Sequence, residues 1–95
     1  MIAVKMPLFK LGKVVGTPGA VEALERAKTP AWELLSKHVA GDFGDVDQED
    51  WQANLDAINR EARIISAYTL TTGDRVWVIT EADRSSTCLL LPAEY

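Results

Sequence analysis

Apolar residues recur at helical spacing between residues 18 and 62, and at every second position from residue 64 onward. Thr17-Pro18 and Thr29-Pro30 each place a capping hydroxyl before a proline, whose missing N–H costs nothing in the first helical turn. The spacing predicts one helix over Pro18–Ala27, presenting Ala20, Val21, Leu24 and Ala27. It predicts a second over Pro30–Val39, presenting Leu34, Leu35, His38 and Val39 and stopped by Gly41. A polar loop, Gly41–Asp47, follows. Asp47 is a good N-cap, and Glu49 and Asp50 fall in the first turn, where carboxylates suit the helix dipole. The third helix is expected from Gln48 to about Ala62, with Trp51, Leu55, Ile58 and Ala62 as a single apolar stripe.

Beyond it, Ile64, Ser66, Tyr68 and Leu70 alternate with Ile65, Ala67 and Thr69, so both faces of this strand are partly apolar. Thr71–Asp74 reads as a turn and Arg75–Thr80 as the returning strand, with Trp77 and Ile79 on one face and Val76 and Val78 on the other. Asp83–Ser86 forms the next turn, Thr87–Leu91 the last strand, and Pro92 ends it. Leu8–Val15 supplies an N-terminal arm or a further strand, with Gly12 as a weak point and Gly16 as its stop. The expected fold class is therefore α+β: arm or strand, three helices, then a three-stranded antiparallel meander, or a four-stranded sheet if the arm joins it, with helices on one face. Residues 1–95 form one domain. The apolar second face calls for a cover: the arm, a loop, or a partner chain such as a second copy.

Composition narrows the function classes. Residues 1–41 carry six lysines and arginines against three glutamates, while residues 42–95 carry four arginines against eleven carboxylates, giving −4 in all. Asp42, Asp45, Asp47, Glu49, Asp50 and Asp56 occur with no lysine or arginine between Lys37 and Arg60. Such a chain is a poor general nucleic-acid binder, because neutralisation of phosphates supplies most of that affinity. No apolar run approaches the ~20 residues that span a bilayer. The first sixteen residues, MIAVKMPLFKLGKVVG, are interspersed with lysines and lack a small-residue cleavage site, so no signal peptide is expected. A single cysteine, Cys88, excludes an internal disulfide, which fits the cytoplasm; without a close basic neighbour it reads as a buried structural thiol.

No complete catalytic or metal motif is present. His38 is the only histidine; it is either a general acid/base or a helix-end residue bonded to a terminal carbonyl or to Asp42. The acidic loop fails the EF-hand template, since no glycine stands at the sixth loop position after Asp45-x-Asp47-x-Glu49, so no metal is assigned and no cofactor is called for. Those carboxylates serve capping and solvation, bind a partner, or mimic a phosphate backbone. Arg60, Arg63, Arg75 and Arg84 are able to grip phosphate or carboxylate, or to pair at the surface with Glu61, Asp74, Asp83 or Glu81. Thr80, Glu81, Arg84, Ser86 and Thr87 are gathered by one turn. Ser85-Ser86 lies in no nucleophile elbow. Trp32, Trp51 and Trp77 read as core anchors.

The segments HVAGDFGDVDQEDWQAN (His38–Asn54), RIISAY (Arg63–Tyr68), VWVITEADRSST (Val76–Thr87) and LLLPAEY (Leu89–Tyr95) resemble a family of small uncharacterised bacterial proteins. These are often borne on plasmids or mobile elements and are sometimes labelled restriction-modification-associated. The resemblance covers about residues 16–95 and implies a bacterial cytosolic protein accessory to horizontally moving DNA; it transfers no catalytic residue. In its order of elements alone, the chain is similar to barnase-like and toxin ribonucleases. That likeness would make His38 the acid/base, Arg60, Arg63 or Arg84 the phosphate clamp, and Thr80 or Ser86 a hydrogen-bonding partner.

The leading expectation is a non-enzymatic accessory protein that contacts an unidentified protein through Asp42, Asp45 and Asp47 of the acidic loop and Glu81, Asp83 and Arg84 of the turn. The alternatives are a small ribonuclease or nucleotide-processing enzyme using His38, Arg63, Arg84 and Ser86, and an acidic nucleic-acid mimic that blocks a nuclease.

Overall fold

Thr17 begins the first helix as expected: its hydroxyl accepts the Ala20 amide at 3.1 Å, and Pro18 opens the helix α1, Pro18–Arg26. The helix buries Ala20, Ala23 and Leu24, then ends as Lys28 adopts a left-handed φ of 53°. The second helix, α2, spans Ala31–Val39 and departs from the expected start. Pro30, not Thr29, occupies the cap position and no side chain caps it; the Thr29 hydroxyl donates back to Ala27 O. Asp47 caps α3, Gln48–Arg60, through the Asp50 amide at 2.8 Å, and Glu61 closes that helix in the left-handed region. The computed structural model describes residues 6–95, so the part of the signal-peptide reading that rests on residues 1–5 lies outside the described residues.

The strands are β1 (Lys13–Gly16), β2 (Ile64–Thr69), β3 (Arg75–Thr80) and β4 (Ser86–Leu90). β2, β3 and β4 form the expected antiparallel meander, with Ser66 opposite Val78 and Val78 opposite Leu89. The sheet is mixed rather than purely antiparallel: β1 runs parallel to β4, Val14 opposite Thr87, and the order is β1-β4-β3-β2. A parallel neighbour needs a long crossover, and the three helices together with β2 and β3 supply it. The strand is shorter than Leu8–Val15 because Gly12, at φ 66°, turns the chain where a side chain would collide with the backbone of Arg84 and Ser85.

Alternation divides the sheet. Ile64, Ser66, Tyr68, Val76, Val78, Thr80, Thr87 and Leu89 are buried on one face. There α1 lies against β4 and α2 against β3, and their Ala20, Ala23, Leu24 and Leu34 join Tyr68, Val76, Val78 and Leu89 in the main cluster. A second cluster, Phe43, Ala57 and Ile64 with Phe9, Trp51 and Ile58 around it, sits under the loop before α3. Two of the expected anchors move out of the core: Trp32 is 66% exposed, and Trp77 is only half-buried. Cys88 is likewise half-buried, not enclosed.

α3 does not lie on the sheet face; it runs beside the outer edge of β2. The Asn54 side chain donates to Ile65 O at 2.7 Å and accepts from Ile65 N at 3.0 Å. Consequently Asn54 and Ala57 are the buried positions, while Leu55 of the expected stripe is 38% exposed. The acidic loop completes the edge: Ala67 N donates to Phe43 O and Asp45 N donates to Ala67 O. Gly44, at φ 74°, permits this approach, since a Cβ there would strike the Ala67 carbonyl.

Candidate functional site

His38 comes from the last turn of α2 and is wholly buried against the strands. Its Nδ1 lies 2.6 Å from Ser66 Oγ and its Nε2 lies 2.9 Å from Thr80 Oγ1. Thr80 Oγ1 is 2.7 Å from Thr87 Oγ1, which in turn meets Leu11 O at 2.7 Å. These bonds fix the proton order. The carbonyl can only accept, so Thr87 donates to it, Thr80 donates to Thr87, and His38 Nε2–H donates to Thr80; Nδ1 is left to accept from Ser66. In the neutral ring this is the Nε2–H tautomer. Burial, aided by the Arg84 charge, lowers its pKa to about 4. The rings of Phe9 and Phe43 approach it edge-on at centroid distances of 5.1 and 6.5 Å. Of the partners weighed in the sequence, neither a terminal carbonyl nor Asp42 bonds His38; Thr80 does. The imidazole has no open cleft beside it, and its polar chain ties α2, β2, β3, β4 and the N-terminal arm together.

Arg84 turns inward rather than outward. At φ 61°, it sends Nη1 to the carbonyls of Ala62 (2.7 Å), Glu81 (3.1 Å) and Ala82 (3.2 Å), and Nη2 to Ala57 O at 2.8 Å. Its guanidinium carbon stands 5.7 Å from the centroid of Phe9. The side chain therefore collects carbonyls at the C-terminal end of α3 and in its own turn, where a cation complements the helix dipole. Asp83 accepts the Ser85 amide at 3.0 Å, and hydrogen bonds from Ser85 hold its pKa below the ordinary value. Ser86 is half-buried in β4, opposite Lys13. The five residues gathered by sequence around this turn diverge: Thr80 and Thr87 enter the core, Arg84 clamps carbonyls, and Glu81 faces Arg63.

The acidic loop is also shared among tasks. Asp42 accepts the Gly44 amide at 3.2 Å, and its carbonyl accepts from the Tyr68 hydroxyl at 2.6 Å. Asp45 accepts from the Thr69 hydroxyl at 2.7 Å, and Asp47 caps α3. No group of three or more metal-ligating side chains is found among the described residues.

A groove of about 590 Å³ opens instead on the sheet face not covered by α1 and α2. Asp45, Asp47 and Asp50 border it from the loop and the start of α3. Ala53, Ile65 and Ala67 provide small apolar surface, and Arg63, Arg75, Trp77 and Tyr95 line it as well. Arg63 is held on both sides: Nη1 donates to the Tyr95 hydroxyl at 2.9 Å and Nη2 meets Glu81 at 3.2 Å. Tyr95 packs edge-on to Trp77, 5.5 Å between centroids. The groove thus brings together Asp45, Asp47 and Arg63 from the expected site, with Glu81 reaching it through Arg63.

Sequence reasoning passed over Trp77, taken for a core anchor, and Tyr95. The available signal was the apolar character of the second strand face combined with Arg75 at its start. No helix among the described residues is long and apolar enough to cross a membrane. No protein-family model, curated protein or solved structure matches the chain.

Proposed function

We propose that this chain is a cytoplasmic accessory protein of a bacterial mobile element, acting by non-covalent contact with another protein through the groove on its outer sheet face. The mobile-element part of the reading rests on the sequence resemblance. The contact surface rests on one observation: a half-buried tryptophan, apolar strand positions and charges of both signs line one open groove. Aromatic and arginine side chains anchored beside apolar surface are what protein interfaces concentrate at their centres. The acidic border and the net charge of −4 favour a protein over a polyphosphate.

Photocrosslinking in a bacterial host carrying the element tests the reading. A crosslinking amino acid at Ala53, in the groove, is expected to capture a defined protein, and the same group at Trp32 on α2 is not. The adduct should disappear with Trp77→Ala. Equal adducts from both positions, or an adduct indifferent to Trp77, would refute the proposal.

A further inference from the structure

Building on that groove as the contact surface, we infer that the partner enters it as an extended peptide segment bearing a basic residue and an acidic residue on either side of an apolar side chain. Opposite charges line the groove without neutralising each other. Among the described residues, Arg75 makes no ion pair and the Asp50 carboxylate makes no hydrogen bond, although both line the same space. Arg63 is already satisfied by Glu81 and Tyr95 and serves as a fixed wall. A ligand of one sign would meet repulsion at one side, whereas a segment carrying both signs satisfies each. Ile65 and Ala67 of β2 lie between the α3 border that carries Asp50 and β3, which carries Arg75 and Trp77, and together with the Trp77 ring they offer the apolar seat.

The backbone of β2 excludes another mode of binding. Ile65 has given its outward N–H and C=O to Asn54, and Ala67 has given its own to Asp45 and Phe43. A peptide cannot add as a further strand at these positions, so recognition falls to side chains lying over the face. Exposed ion pairs add little affinity, but they set the direction in which the segment lies. A groove of about 590 Å³ accommodates a few side chains, not a whole folded surface.

A random heptapeptide library displayed on phage, selected against the full 95-residue chain, supplies the probe. Selection is expected to enrich peptides with Lys or Arg and Asp or Glu flanking an aromatic or aliphatic residue. A synthetic enriched peptide should bind Trp77→Ala about tenfold more weakly. Against Arg75→Glu, an exposed substitution that leaves the core alone, the same peptide should lose affinity. Replacing its acid by lysine should then restore binding to that variant and not to the wild type. Enrichment without this charge pattern, no enrichment at all, or binding unaffected by both substitutions would overturn the inference. If Ala53 still crosslinks a partner in cells while the charge pattern is absent, the groove remains the contact surface and only its proposed chemistry falls.

Discussion

Protonating His38 requires placing a charge among buried hydroxyls and phenyl edges while breaking the hydrogen bond that its Nδ1 accepts from Ser66. Its pKa falls from an ordinary 6.5 to about 4 on folding, so the unfolded chain binds the proton more tightly. The stabilisation from this site is complete above pH 6.5 and is lost as pH falls toward 4, a total of about 3 kcal/mol. Urea unfolding at a series of pH values should show that decline, and His38→Gln should flatten the part due to this residue. At neutral pH, His38→Ala should destabilise the fold by about 2–4 kcal/mol, because Ser66 and Thr80 lose their partner inside the core. Arg84 carries a comparable expectation. Arg84→Lys keeps the charge but loses the planar fork that reaches carbonyls of both α3 and the turn, and should lower stability by about 1–3 kcal/mol. Both residues stood out in the sequence, His38 as the lone imidazole and Arg84 as the cation of a polar turn. Their inward direction was not legible, because it depends on where Ser66 and the end of α3 arrive in space.

Asn54 shows how an element can be identified while its contact face is misjudged. The capped start of α3 at Asp47 follows from sequence because the cap and its partner amide are three residues apart. The apolar stripe of Trp51, Leu55 and Ile58 suggested packing on a sheet face, but the helix meets the edge of β2, where the exposed groups are polar. An amide that both donates and accepts is the side chain suited to that backbone, and hydrophobic periodicity gives it no weight. Asn54→Leu keeps the volume close while leaving Ile65 N and O unpaired, so it should cost about 1–3 kcal/mol in chemical denaturation. It should also increase concentration-dependent association in light scattering, since an uncovered strand edge is a template for pairing between chains. Leu55→Ala, on the half-exposed position of the same helix, should change stability much less.

Across the whole molecule, the meander could be read from alternation because its strands are neighbours in sequence. The parallel pairing of β1 could not, since its partner β4 lies beyond all three helices and its own residues are exposed. The same long-range logic fastens the end of the chain. Glu94, in a single 3-10 turn over Pro92–Glu94, accepts from the Thr17 hydroxyl at 2.6 Å and from Leu91 N at 2.8 Å, and these bonds hold its pKa below the ordinary glutamate value. Thr17 is also the cap of α1, so one hydroxyl joins the crossover to the segment that carries Tyr95 onto Trp77. Removing the carboxylate should therefore act at a distance, on the groove. In Glu94→Ala, the Leu91 amide should exchange faster with solvent, and the Trp77 indole resonance should shift as the Tyr95 ring loses its fixed position. The Asn54 side-chain amide resonances, which report α3 on the other border of the groove, should stay in place. A Trp77 resonance unchanged alongside a faster Leu91 amide would mean that Arg63 alone, through the Tyr95 hydroxyl, holds the ring.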